Sequence, residues 1–211
     1  MTQKKINEIK KLFLEKYKDA KSELNYTNAY ELLIAVMLSA QCTDKRVNLV
    51  TPALFRAYPS TRELSRAALD DVKELIKSVS FFNNKAQNLI AMAQAVEADF
   101  RGEIPLNQAD LKSLKGVGQK SANVVLGEFL DLNFMAVDTH VFRVSHRLGL
   151  SNAKSAIATE ADLSAIFKDN LHILHQGFVL FGRYECKAVK PKCDACFVKK
   201  YCVDSKNFKP K

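Results

Sequence analysis

The chain has 211 residues with 47% hydrophobic content, enough for one large domain or two small ones around a real core, so a folded protein and not a disordered polymer is the default expectation. A formal charge of +9 favours a polyanionic partner, although a lysine-rich solvated surface alone would carry the same charge. Residues 1–11 are charged, without an apolar stretch before a small-residue cleavage site, and the longest apolar run, 32–38 continuing through 39 and 40, is far short of the roughly 20 residues that span a bilayer. A secretory signal and a membrane span are therefore not expected, and the cytoplasm is the expected compartment, at the nucleoid if the source is bacterial.

Helical spacing begins early. Asn28 followed by Glu31 matches a capping box, and Ala29, Leu32, Leu33, Val36, Met37 and Ala40 form one stripe behind it. Ser60 with Glu63 marks another helix start, and Ala86, Leu89, Ile90 and Ala93 form a further stripe. No stretch of comparable strict alternation appears, so the fold is expected to be mainly α. Cys42 reads as a small buried thiol.

Leu111 and Leu114 lie at helical spacing, and after Gly116-Val117-Gly118 the apolar stripe resumes at Ala122, Val125, Leu126 and Phe129. This is helix, tight turn, helix. Two glycines around one apolar residue let the backbone turn with positive φ and present consecutive N–H groups, which suit a phosphate or serve a plain turn between helices. Lys120 falls in the first turn of the second helix, where the helix dipole disfavours another cation and draws the lysine pKa downward. Only a neutral amine attacks carbon. A lysine that contacts phosphate is the alternative. Asp138 precedes a helix beginning near Thr139 and reads as its N-cap, with His140 beside it; His146, His172 and His175 read as ordinary helix residues.

Four of the five cysteines, Cys186, Cys193, Cys196 and Cys202, fall within 17 residues with six, two and five residues between them. In a reducing compartment this pattern points to metal ligation rather than disulfides. Spacing alone leaves a zinc ion and a cubane of four irons and four sulfides both open. Lys187, Lys190 and Lys192 stand between the first two thiols, as cations for phosphates or as a solvated surface loop.

The segment Leu114-Lys-Gly-Val-Gly-Gln-Lys-Ser-Ala-Asn-Val-Val125, followed by Ala136-Val-Asp-Thr-His-Val-Phe-Arg143, resembles the endonuclease III family of DNA glycosylases. The resemblance extends upstream to Glu31-Leu-Leu-Ile-Ala-Val-Met-Leu-Ser-Ala-Gln-Cys-Thr-Asp44 and downstream to Gly182-Arg-Tyr-x-Cys and the cysteines, covering nearly the whole chain. It implies an all-α fold of two helical domains with a catalytic cleft between them: residues 22–132, with the helix-hairpin-helix at about 107–130, and residues 1–21 plus 133–211. It also implies a monomeric, bifunctional DNA glycosylase and AP lyase of base excision repair, acting on oxidised pyrimidines in double-stranded DNA and carrying a 4Fe-4S cluster on the four cysteines. Lys120 becomes the nucleophile at C1′ and Asp138 the carboxylate that assists it. DNA would be met by Gln41, filling the hole left by the extruded base, by Phe81 as a second wedge, by Gly116, Val117, Gly118 and Gln119 of the hairpin, by His140 and Arg143, and by Lys187, Lys190 and Lys192.

The chain departs from the family pattern at Lys115, where proline is usual, at Gln119, where arginine is frequent, at Ser80, where glycine is usual, and at Phe181, where histidine is common. Within the same class the rival reading is an adenine-excising relative that uses an aspartate and water. From another class it is a non-catalytic DNA-binding or redox protein, and zinc is the alternative to the cluster.

Overall fold

The computed structural model describes residues 2–204, which form eleven α-helices and one short 3-10 helix, with no β-strand among them. Residue 1 and residues 205–211, the ends of the second expected domain, lie outside the described residues. The chain divides into two compact units, Ser22–Leu130 and Met1–Lys21 with Asp131–Lys211. No helix among the described residues is long and apolar enough to cross a membrane.

The first unit holds α2 (Ala29–Ser39), α3 (Asp44–Ala57), α4 (Thr61–Ser65), α5 (Leu69–Ile76), α6 (Phe82–Asp99), α7 (Gln108–Ser113) and α8 (Gln119–Leu130). Every residue from Leu32 to Leu38 is buried. A helix that is apolar on all sides must be surrounded, and α3, α6 and α8 pack around it. Asn28 sets its start by accepting from the Glu31 N–H at 3.0 Å. The Glu31 carboxylate reaches the N–H of Thr27 at 2.7 Å rather than that of Asn28, so the reciprocal arm of the box lands one residue early. At Ser60 the hydroxyl accepts from the Arg62 N–H, one residue early, and donates to Glu63, whose carboxylate also meets the Ser60 N–H as the box requires.

The second unit holds α1 (Gln3–Tyr17), α9 (Thr139–Arg147), α10 (Ala156–Phe167) and α11 (Leu171–Tyr184). Helix α11 packs against α1 and α9, with the Phe13 ring 4.3 Å from that of Phe178 and edge-on to Phe181 at 5.4 Å. Full burial of each such side chain contributes about 1.5–3 kcal/mol. Close approach of α9 requires Gly182, where a Cβ would come within 2.9 Å of the His140 Cβ. After α11 the described chain has only the 3-10 turn Lys199–Tyr201. It is pinned by Phe197, whose ring packs on Phe13 at 5.1 Å and Phe181 at 5.2 Å.

Candidate active site and metal centre

Within the hairpin, the Val117 N–H donates to Leu114 O at 3.1 Å and the Val117 side chain is buried beneath the turn. Gly116 has φ +83°, and a Cβ there would press on Asn88 at 3.0 Å, so both conformation and space demand glycine. Gly118 does not share that conformation, which corrects the reading of both glycines as positive-φ residues. A Cβ at Gly118 would meet nothing within 4 Å, so its outer side is open to an approaching group. Beyond it α8 begins, and the amides of a first turn have no intrahelical acceptor. Lys120 lies in that turn, half-buried. Asn123, buried, accepts from Gln108 Nε2 at 2.6 Å and ties α7 to α8.

Asp138 caps α9. Its Oδ1 accepts from the N–H groups of both His140 and Val141 at 2.8 Å, leaving Oδ2 for a proton or a cation. The extended segment before it is braced from α11 by buried His175, whose Nδ1 bonds Ala136 O at 2.7 Å. His175 is thus a support for Asp138, a role its helical position in the sequence did not reveal. Beside the cap, burial lowers the His140 pKa; Asp138 opposes the shift, and Arg143 and Arg183 add to it. The Arg143 Nη2 stands 3.2 Å from His140 Nδ1, so Nδ1 accepts and the proton of the neutral ring is assigned to Nε2. Arg143 also donates to Gly182 O at 2.7 Å, Cys186 O at 3.1 Å and Thr139 O at 3.4 Å. This arginine, expected to meet DNA, is employed inside the unit to join α9 to the end of α11.

Gln41 is exposed at φ +54° and follows α2 directly. The Cys42 N–H donates to Ser39 O at 3.0 Å and Ala40 has φ −57°, ψ 114°, which makes a type II turn with Gln41 at the corner usually given to glycine. Phe81, at φ +58° and 61% exposed, caps α6. The two adjacent phenylalanines divide their roles: Phe82 is half-buried while Phe81 stands out. Cys42 is half-exposed rather than buried.

The remaining four cysteines carry no disulfide and line one cavity together with Arg147, Leu148, Phe181 and Val198. Phe181, the departure from the family's histidine, is a wall of that cavity. Burial, with the neighbouring sulfurs adding to it, raises the thiol pKa of Cys193, Cys196 and Cys202. Such a site holds thiolates only with a cationic group between them. The four cysteines lie around one shared space, which suits a polynuclear group. The residues fit an iron-sulfur cluster, whose irons, when bound, take one thiolate each and cross-link the segment.

Arg147, which the sequence did not single out, stitches that segment together. Its guanidinium donates to Lys187 O at 2.7 Å, Ala188 O at 3.2 Å and Cys186 Sγ at 3.4 Å. Its carbonyl accepts from the Val203 N–H at 3.0 Å and the Cys202 thiol at 3.1 Å. Lys187, Lys190 and Lys192 are all exposed on the loop so held.

Residues 34–169 match the model of the HhH-GPD superfamily base excision DNA repair proteins, and residues 186–202 that of the iron-sulfur binding domain of endonuclease III. The chain is 43% identical over 198 residues to endonuclease III of Rickettsia felis, covering 93% of each, and 38% identical to that of Bacillus subtilis, covering 84% of this chain and 82% of the relative. It superposes with a TM-score of 0.94, at 37% identity and 98% coverage of both chains, on a structure described as a trapped endonuclease III–DNA covalent intermediate. A thermostable thymine-DNA glycosylase shares the fold, with a TM-score of 0.86 at 21% identity and coverage of 97% of this chain and 98% of that one. From the hairpin to the cysteine segment, the chain belongs to the endonuclease III family of HhH-GPD proteins, as a base excision repair DNA glycosylase and AP lyase with a 4Fe-4S cluster.

Proposed function

We propose that the chain removes oxidised pyrimidines from double-stranded DNA with Lys120 as nucleophile and Asp138 as its carboxylate partner. The observation that carries this reading is a half-buried lysine in the first turn of α8, two residues after Gly118, whose Cβ side is open. A phosphate held by hairpin and first-turn amides leaves a nearby sugar in the amine's reach, with no base read. The neutral Lys120 nitrogen bonds to C1′ as the glycosidic bond breaks, and the base departs with the electron pair and gains a proton. The sugar ring opens to a Schiff base, a C2′ proton is removed, and the 3′ phosphate leaves from C3′ by β-elimination. Water then hydrolyses the imine and frees the lysine. Asp138, with Oδ1 committed to the cap, uses Oδ2 to take the lysine proton and to face positive charge on the sugar.

Gln41 and Phe81 enter the base stack as the damaged base leaves, a role supported by their exposure at two left-handed corners. The hairpin backbone at Gly116, Val117, Gly118 and Gln119 and the exposed Lys187, Lys190 and Lys192 meet phosphates. His140 and Arg143 shape the end of α9 between the carboxylate and the cluster loop. The four cysteines hold the cluster as a structural cross-link, and the protein acts as a cytoplasmic monomer.

Borohydride reduction on duplex DNA containing an abasic site tests the reading. Wild-type protein forms a covalent adduct, and Lys120→Ala lowers its yield by at least ~10³-fold. Asp138→Asn keeps the helix cap and slows single-turnover excision by roughly 10²-fold. Folded, DNA-bound wild-type protein that yields no adduct sinks the mechanism.

A further inference from the structure

The corners that carry Gln41 and Phe81 are joined by a buried lysine that the reaction does not use. Lys85 lies in the first turn of α6 and is 8% exposed. Its main-chain N–H donates to Phe81 O at 3.1 Å. Its ammonium donates to Leu38 O at 2.8 Å and Ala40 O at 2.6 Å, the carbonyls at the end of α2 and immediately before Gln41. One residue therefore bonds both corners, one through its backbone and the other through its side chain.

Physical chemistry makes this contact directive. A cation at the C-terminal end of a helix is favourably placed, whereas a buried ammonium without acceptors is strongly disfavoured. The Lys85 head is thus confined to those carbonyls, even though burial lowers its pKa, with Cys42 acting in the opposite direction. Gln41 at φ +54° and Phe81 at φ +58° occupy a conformation that residues with a Cβ avoid. Such corners persist only where the surroundings over-determine them. If either relaxed, its side chain would swing away from its present direction.

We propose that Lys85 is a positioning residue for base extrusion, clamping the Gln41 turn to the Phe81 corner so that both side chains enter the base stack as one preset unit. The proposal rests on the reading of Gln41 and Phe81 as wedges. Its specific consequence is a split between substrates: Lys85 matters when a stacked base must be displaced, and not when the sugar is already accessible.

The test uses Lys85→Met in the full chain, with circular dichroism and thermal melting to verify the fold. Single-turnover excision of an oxidised pyrimidine opposite guanine in a duplex is expected to fall about tenfold or more, while cleavage of an abasic single-stranded oligonucleotide stays within about twofold. Lys85→Arg, which keeps the cation, is expected to hold duplex excision within about threefold of wild type. A fluorescent base opposite the lesion, whose signal rises when the stack is opened, should lose that rise in Lys85→Met.

In a Gln41→Ala, Phe81→Ala background, Lys85→Met should have no further effect beyond about twofold. A folded Lys85→Met protein that excises normally from duplex overturns the proposal. So does one that slows both substrates equally or keeps its full effect in the wedge-less background. If the Gln41→Ala, Phe81→Ala protein itself excises normally, the wedge reading fails first and the Lys85 assignment with it. Should Lys85→Met not fold, Lys85→Gln, whose amide is uncharged and one bond too short to bridge both carbonyls, is put through the same comparison. If neither folds, Lys85 is a core-stability residue and the positioning role is overturned.

Discussion

The hairpin turn at residues 114–118 and the cysteine segment at residues 186–202 are both short irregular stretches, but they get their shapes from different places. The turn is shaped largely by its own residues: the Val117 N–H closes on Leu114, Gly116 takes the left-handed bend, and the Val117 side chain anchors it from below. The cysteine segment makes short turns of its own, with the Cys196 N–H on Cys193 O at 3.3 Å and the Lys199 N–H on Cys196 O at 3.1 Å, but distant residues hold them in place, Arg147 across its backbone and Phe13 and Phe181 beneath Phe197. A self-shaped turn can present a nucleophile without a cofactor. A segment with borrowed supports needs a cross-link to stay closed, and the four thiols supply it.

The largest expected break in this comparison comes from the cluster. Cys196→Ala removes one thiolate from the cavity, and loss of the cross-link should destabilise the second unit by roughly 3 kcal/mol or more. Limited proteolysis should then cut within residues 187–192 at once, while borohydride trapping of Lys120 on an abasic oligonucleotide at low salt persists. Trapping that disappears while both units stay folded would show that the cysteine segment supports the chemistry directly.

A smaller effect is expected from Gly116→Ala, which places a Cβ at φ +83° and against Asn88. The strain should destabilise the chain by about 1–2 kcal/mol, seen in the urea midpoint. Gly118→Ala, with nothing within 4 Å of its Cβ, should leave that midpoint nearly unchanged and weaken DNA binding instead. Equal destabilisation by both would refute the distinction between the two glycines.

The smallest effect concerns pH. Because burial lowers the His140 pKa, the unfolded chain takes up this proton first as pH falls. Between the unfolded value, about 6.5, and the lower folded value, the unfolded state binds more protons, so stability declines with falling pH. The decline between pH 7 and pH 5.5, read from urea midpoints, should be shallower in His140→Gln. An unchanged slope would remove His140 from the account.

What was legible in the sequence follows the range of the interactions. Asn28, Ser60 and Asp138 announce helix starts because a cap bonds its own neighbours, and the cysteines announce a metal because their ligand spacing is local. The apolar stripes gave an all-helical chain for the same reason. Even so, local letters left details open: Glu31 reaches Thr27, and Gly118 has open space beside it and no positive φ. Lys85, Arg147 and His175 stayed hidden because their partners lie 47, 39 and 39 residues away in the chain. A lysine after two asparagines, an arginine ending a helix and a histidine within one look the same whether they face water or brace a site.

The stack of Phe13 on Phe178, Phe181 and Phe197 also orders events in time. At about 5–20 residues per second, α1 leaves the ribosome roughly ten to thirty seconds before its aromatic partners exist. Until then Phe13 has no native core to join, whereas residues 22–130 can fold as soon as α8 emerges. The newborn chain therefore completes its hairpin first and closes its N-terminal helix against α11 and the cysteine segment last. For that interval the face of α1 that carries Ile6, Ile9 and Phe13 waits for the core it will later join.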